Sequence, residues 1–525
     1  MLASFLFTKM GFQGKVRILL TLLSSIMVVE SALNRKSFPQ GFTFGSSSSA
    51  YQFEGAVAKD GRMPSICDTY YDIPSHTLDG SNANVTVNQY YLYPEDIKMM
   101  AKVGFDAYRF SISWSRLIPE GRGSVNAIAV EHYNNQINTL LEFGIEPYVT
   151  ISHFDIPQAL EDEYGGWLDR RIIDDFANYA EVCFNLFGDR VKHWITINEP
   201  NLEASIGYDL GVMPPGRCSA PFGNCTQGNS TTEPYIAAHY QLLSHAAAVA
   251  RLRKNEARKN SSVGFPINQF WYEPLTNSSE DLEAQQRALE FTVGWIFDPI
   301  FFGDYPSSMR KRVGERLPKF TEDEVEMLKG SIDFIGLNHY GSLYATDKNS
   351  SSTIRDYYAD MAVELTGVRD GVPIGPKTAF ESSAMILYIV PRGIKLLVEY
   401  VKNRYNSPEI FILENGVATE YNETIKEELN DTIRVNFHHD YLVNLLEAIE
   451  DGANVKGYFV WSFLDNFELG FGFTLRFGLT YVDFKNHNLP RYSKLSSLWF
   501  HQFLTSNTTS LQEKPNSTYI QRTYI

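Results

Sequence analysis

The chain has 525 residues, 44% of them hydrophobic and 14% aromatic, enough to bury a large core. Lys plus Arg number 46 against 62 Asp plus Glu, a net charge of −16. That balance excludes nucleic acid and anionic membrane surfaces as partners, because both demand a cationic face.

The N-terminus opens with Lys9, Lys15 and Arg17, followed by an apolar run over 18–29 and the small residues Ser31 and Ala32. This pattern predicts a secretory signal over residues 1–32, too short for a comfortable membrane span; Met10 is an alternative start. No stable membrane association is expected once it is cleaved. Ten Asn-x-Ser/Thr sequons follow, at Asn84, Asn224, Asn229, Asn260, Asn277, Asn349, Asn422, Asn430, Asn507 and Asn516. Together they point to passage through the endoplasmic reticulum, with the cell wall or vacuole as the destination. The C-terminal Arg-Thr-Tyr-Ile carries neither a peroxisomal nor an endoplasmic-reticulum retention signal.

From residue 33 onward the chain alternates short β-rich apolar runs with longer helical patterns. The strands are predicted over 42–46, 107–114, 146–154, 193–198, 263–270, 334–340, 409–414 and 456–463. Helical periodicity covers 94–103, 129–143, 172–187, 234–254, 280–293 and 432–450. Eight alternating units imply a parallel sheet closed into a single (β/α)₈ barrel with elaborated loops, in the α/β class. No Gly-rich phosphate loop follows the first strand, which disfavours a dinucleotide fold and any nucleotide cofactor. A tail from about residue 506 is expected to be poorly ordered.

Cys218 and Cys225 enclose a short Pro/Gly-rich loop and are expected to form a disulfide in an oxidising compartment. Cys183 falls in a helical apolar pattern and reads as a buried thiol. No residues show zinc-site spacing, so no catalytic metal is expected.

A barrel places its chemistry at the C-terminal ends of the strands. Polar residues concentrate there: Ser152-His153-Phe154-Asp155, Asn198-Glu199-Pro200, Asn338-His339-Tyr340, Glu414-Asn415-Gly416, and Trp461 with Asp465 and Glu468 beyond it. Glycoside hydrolysis needs two carboxyl groups flanking one bond, about 5–5.5 Å apart when the anomeric configuration is retained. Glu199 and Glu414 are the natural pair, because strands four and seven face each other across the barrel. Apolar neighbours should raise Glu199, the acid. Arg109 and the Tyr340 hydroxyl should hold Glu414 ionised.

The chain resembles glycoside hydrolase family one, and its plant β-glucosidases in particular. The resemblance runs from about residue 38 to 504 and rests on Phe-Gly-Ser-Ser-Ser-Ser-Ala-Tyr-Gln-Phe-Glu-Gly (44–55), Tyr-Arg-Phe-Ser-Ile-Ser-Trp-Ser-Arg (108–116), Thr-Ile-Asn-Glu-Pro (196–200), Leu-Glu-Asn-Gly (413–416) and Trp-Ser-Phe-Leu-Asp-Asn-Phe-Glu (461–468). It implies a retaining β-glucosidase with Glu199 as acid/base and Glu414 as nucleophile. It also implies Gln52, His153, Asn198 and Glu468 as hydrogen-bonding partners of the sugar, Trp461 as its aromatic floor, Tyr340 as the group orienting the nucleophile, and Phe477 at the substrate. The chain departs from the family pattern at Leu469, Leu413, Cys67 and Tyr91-Leu92, where the family usually has Trp, Thr, Trp and His-Arg. Two alternatives stand beside the glycosidase: a hydroxyisourate hydrolase of ureide synthesis using the same two glutamates, and a non-catalytic carbohydrate-binding protein. Thioglucoside cleavage is disfavoured, since it goes with Gln in place of the acid/base Glu.

Overall fold

The computed structural model describes residues 33–506, apart from 256–257, 259–260, 349–354, 382–385 and 422–423. The signal segment, the tail beyond 506 and the sequons at Asn260, Asn349, Asn422, Asn507 and Asn516 lie outside the described residues.

Eight parallel strands close on themselves: β1 Thr43–Ser47, β2 Ala107–Ser111, β3 Glu146–Ser152, β4 His193–Ile197, β5 Ser262–Asn268, β6 Phe334–Asn338, β7 Glu409–Asn415 and β8 Val455–Val460. Each pairs with its neighbours in sequence, and β1 pairs with β8 from Thr43↔Gly457 to Ser46↔Val460 to complete the ring. The helices that return the chain are α1 Gln89–Val103, α2 Ala127–Glu142, α3 Arg171–Phe187, α4 Glu233–Lys254, α5 Ser279–Leu289, α6 Arg392–Arg404, α7 Thr432–Glu450 and α8 Leu495–Thr505. This is the (β/α)₈ barrel expected from the alternating pattern.

Local chemistry sets the boundaries. The Asn126 side chain accepts from Ile128 N at the start of α2, and Ser278 accepts from Asp281 N at the start of α5. Gly104, at φ +96°, ends α1 in the left-handed region that a β-carbon disfavours. α3 presents Ile172, Phe176, Tyr179, Ala180, Cys183 and Phe187 to the barrel, the 3.6-residue period visible in the sequence. Helix α1 begins five residues before its predicted start and carries Pro94 inside it. Helices α6 and α8 are not among the predicted segments.

Six of the predicted strands overrun their true ends, while those for β1 and β7 stop one residue short. β2 stops at Ser111 rather than 114, β3 at Ser152 rather than 154, β6 at Asn338 rather than 340, and β8 at Val460 rather than 463. Aromatic residues such as Trp114, Phe154 and Phe463 follow the strands, but the backbone leaves the ladder before them to turn over the barrel mouth. Phe154 has φ +67° and Glu199 φ +45°, conformations that no strand can hold.

Inside the lower barrel, β2 and β3 send alternate residues inward. The Tyr148 ring meets Phe459 at 4.9 Å and Phe411 at 5.9 Å between centroids. Glycines on the strands make room for these rings. A β-carbon at Gly45 would sit against the Phe459 ring and 2.8 Å from the Ala107 carbonyl oxygen, and one at Gly457 would lie 2.9 Å from the Phe411 ring. The loop after β4 is closed by the expected Cys218–Cys225 disulfide, with Cα atoms 5.3 Å apart; Cys67 and Cys183 are buried thiols.

The seam between β1, β2 and β8 has no slack for a methyl group. Gly45→Ala is therefore expected to cost about 1–3 kcal/mol, the usual range for overpacking. Urea unfolding followed by tryptophan fluorescence measures it, and an unchanged midpoint would contradict the packing described.

Candidate active site

The site lies at the C-terminal mouth of the barrel and draws residues from all eight strands or the segments that follow them. Arg109 on β2, completely buried, is its centre. Its Nε donates to Thr150 Oγ1 (3.1 Å), one terminal nitrogen to Glu414 Oε1 (2.5 Å) and the other to Asn198 Oδ1 (2.6 Å). From Asn198 the chain of contacts continues to Asn338 Nδ2 (3.2 Å), which also donates to Glu199 Oε1 (2.6 Å). Glu199 and Glu414 thus share one pocket, joined through Arg109, Asn198 and Asn338. Both are buried, at 4% and 3% exposure.

Each carboxyl owes its direction to an irregularity of its strand. On β7 the register against β6 slips between Ile412 and Glu414. Phe411 faces the barrel interior, where its ring meets Tyr148 and Phe334, and plain alternation would turn Glu414 away. The extra residue swings Glu414 back into the pocket. At β4 the chain leaves the sheet at Glu199 with φ +45° and ψ 56°, a strained conformation for a residue with a β-carbon. Glu199 N donates to Pro266 O (3.0 Å), and the Asn201 side chain clamps the backbone of Asn268 on β5 from both sides (2.7 and 3.1 Å). These bonds hold the turn that delivers Glu199.

The two environments differ. Burial pushes the Glu199 carboxyl up to about 8, and the negative charge of Glu414 adds to the rise. Burial raises Glu414 as well, opposed by the Arg109 charge and by the Tyr340 hydroxyl, which donates to Oε2 at 2.6 Å. The expectation that Arg109 and Tyr340 would simply hold Glu414 ionised is corrected in degree: desolvation in this closed site is the larger effect. The division of environments stands, because the guanidinium contacts Glu414 while only amides contact Glu199.

The remaining expected residues surround this pair. His153 lies with Nε2 at 3.1 Å from Asn198 Nδ2, and burial holds it neutral; its Nδ1 is buried without a partner among the described residues. Gln52 donates to Asn466 Oδ1 (3.1 Å) and to Phe467 O (2.9 Å), and Asn466 donates to Glu468 Oε1 (2.8 Å), so Gln52 and Glu468 belong to one network. Burial pushes Glu468 up to about 8. Trp461 is buried, its ring near-parallel to His153 at 6.0 Å between centroids. Phe477 packs edge-on against the Tyr340 ring at 6.0 Å, a contact that holds Tyr340.

Asn268 and Asn338 have no role assigned from the sequence. Both are the last residues of their strands, in register with each other. That position, at the mouth of a predicted barrel, is the available signal.

The departures Cys67 and Leu469 fall in one apolar cluster, with Tyr51, Tyr71, Phe154, Met213 and Phe467 as buried members, next in the chain to Gln52, His153 and Glu468. Cys67 Sγ lies 3.0 Å from Phe154 O, and Leu469, at φ +52°, packs against the cluster.

The profile of glycosyl hydrolase family 1 matches residues 34–509. A coniferin β-glucosidase of Pinus contorta is 51% identical over 490 residues, spanning 92% of this chain and 94% of that protein. β-Glucosidase 34 of Oryza sativa subsp. japonica is 52% identical over 484 residues, spanning 91% and 94%. Among solved structures, the rice Os3BGlu6 β-glucosidase superposes with a TM-score of 0.87 at 50% identity, covering 90% of this chain and all of that one. A mutant of that rice enzyme, in a covalent complex with glucose, superposes with a TM-score of 0.88. A buried carboxyl pair at the mouth of a (β/α)₈ ring and relatedness along nearly the full described length lead to one conclusion: the chain belongs to glycosyl hydrolase family 1 and is a glycoside hydrolase.

Proposed function

We propose that the enzyme hydrolyses β-D-glucosides with retention of configuration, through a glycosyl-enzyme intermediate on Glu414, with Glu199 as acid and then base. One observation carries this reading: two buried glutamates in one pocket, of which one contacts a guanidinium and a phenol and the other contacts only amides. The relatives named β-glucosidase support the substrate class. No observation favours ring opening of hydroxyisourate, and that alternative is not carried further.

In the first step protonated Glu199 donates to the glycosidic oxygen while Glu414 attacks the anomeric carbon, breaking the bond to the leaving group. Arg109 offsets the charge of Glu414 before the attack, and Tyr340 orients Oε2. In the second step Glu199, now ionised, takes a proton from water, which displaces Glu414 and releases the sugar with its β configuration. Gln52, His153, Asn198 and Glu468 would hold the sugar hydroxyls over Trp461. Asn198 suits the 2-hydroxyl, whose hydrogen bond strengthens in the transition state.

The proposed setting is the secretory pathway, ending in the cell wall or vacuole. The sequon asparagines Asn84, Asn224, Asn229, Asn277 and Asn430 are exposed, which glycosylation requires, and the Cys218–Cys225 bond suits an oxidising compartment. Among the described residues no helix is long and apolar enough to cross a membrane.

Inactivation by a 2-deoxy-2-fluoro-β-glucoside should place one sugar on Glu414, read by mass spectrometry of the labelled peptide. Glu199→Gln should lower kcat/KM on an unactivated glucoside by about 10²–10⁴, the range for loss of general acid–base help. A label on another residue, or full activity in Glu199→Gln, refutes the assignment.

Coupling of the two carboxyls gives a pH prediction. The charge of Glu414 raises Glu199, so Glu414→Gln should bring Glu199 down from about 8 towards the ordinary carboxyl range. Carboxyl ¹³C NMR titration measures it. A Glu199 titration that stays in place would mean the two groups are not electrically coupled.

A further inference from the structure

The contacts of Glu199 distinguish its two oxygens. Asn338 Nδ2 donates to Oε1 at 2.6 Å and Asn268 Nδ2 donates to the same oxygen at 3.2 Å. The orientation of the Asn338 amide follows from its neighbours. Arg109 donates to Asn198 at 2.6 Å, which identifies the receiving atom as oxygen. That oxygen lies 3.2 Å from Asn338, so Asn338 must present its NH₂ end there, and the same NH₂ faces Glu199. The Asn338 Oδ1 is buried and has no partner among the described residues, as the opposite end of a fixed amide would be. The backbone of Asn268 is bonded in both directions to Asn201.

An oxygen receiving two N–H donors has no room for a proton of its own. We infer that Asn338 and Asn268 are positioning residues that confine the acid proton to Oε2 of Glu199, so that proton transfer to the leaving group, and later from water, runs through that one oxygen. The inference rests on Glu199 being the acid/base. In the first step the Oε2–H bond breaks and an O–H bond forms on the departing alcohol, while the charge left on the carboxylate is held at Oε1 by the two amides. In the second step a water O–H bond breaks, Oε2 regains the proton, and the water oxygen bonds to the anomeric carbon as Glu414 departs. Neither asparagine need touch the substrate to act. Each acts by deciding which oxygen is acidic and by stabilising the carboxylate that remains.

Loss of the donors has two consequences. The proton becomes free to reside on either oxygen, which hinders only substrates that need it. Bonds to the carboxylate favour the ionised form, so removing one raises the pKa and moves the basic limb of the rate profile to higher pH. The test compares the wild type with Asn338→Ala, Asn268→Ala and Glu199→Ala on 2,4-dinitrophenyl β-glucoside, whose leaving group needs no proton, and on an alkyl β-glucoside, whose leaving group does. Asn338→Ala should lose about tenfold more kcat/KM on the alkyl than on the dinitrophenyl substrate, a part of the full acid–base effect. Its basic limb should shift upward. Asn268→Ala should act in the same direction with smaller size, as its longer contact implies, and it carries the test if Asn338→Ala does not fold by circular dichroism. Equal losses on both substrates with an unmoved basic limb overturn the inference. Glu199→Ala separates the two levels: if it keeps the basic limb and shows no leaving-group dependence, the assignment of Glu199 itself fails.

Discussion

A single guanidinium organises this active site. Arg109 is wholly buried and joins four strand ends, its own on β2, Thr150 on β3, Asn198 on β4 and Glu414 on β7. A carboxylate sealed from water is strongly disfavoured unless it is paired, and Glu414 has this cation at 2.5 Å. The same pairing leaves Glu199 with neutral donors only. The contrast between the two glutamates is therefore one consequence of where one positive charge sits, and removing it would raise both carboxyls at once.

Irregular backbone delivers several residues of the site. The slip in β7 turns Glu414 inward, and the left-handed residues Phe154, Glu199 and Leu469 stand next to His153, Asn198 and Glu468. Conformations of this kind cost about 1–3 kcal/mol each and persist only where the surroundings impose them. Here the surroundings are extensive. The loop carrying Trp461 and Glu468 is anchored through Asp465, which binds buried Lys494 at 2.7 Å and Arg476 at 3.4 Å. The lower barrel, filled by Tyr148, Phe411 and Phe459, supplies the rigid base on which these turns are held.

Two of the departures from the family pattern share a location. Cys67 and Leu469 both border the cluster of Tyr51, Tyr71, Phe154, Met213 and Phe467, next to Gln52, His153 and Glu468. Both positions carry a smaller side chain than the Trp of the family pattern.

By itself the sequence determined the eight-unit alternation, the residues at the strand ends and the two glutamates, because these depend on local periodicity and on residue type. The Cys218–Cys225 pairing was legible for the same reason, being a contact across a short loop. The sequence anticipated different environments for Glu199 and Glu414, with Arg109 and Tyr340 at Glu414; tertiary structure decided the extent of the difference. Their burial, the path from Glu414 through Arg109, Asn198 and Asn338 to Glu199, and the convergence of Asn268 and Asn338 on one oxygen all join positions far apart in the chain. The true strand ends were hidden likewise, since aromatic residues such as Trp114, Phe154 and Phe463 follow the point where the ladder stops. Hydrogen bonding across the barrel mouth sets that point, and no single segment encodes it.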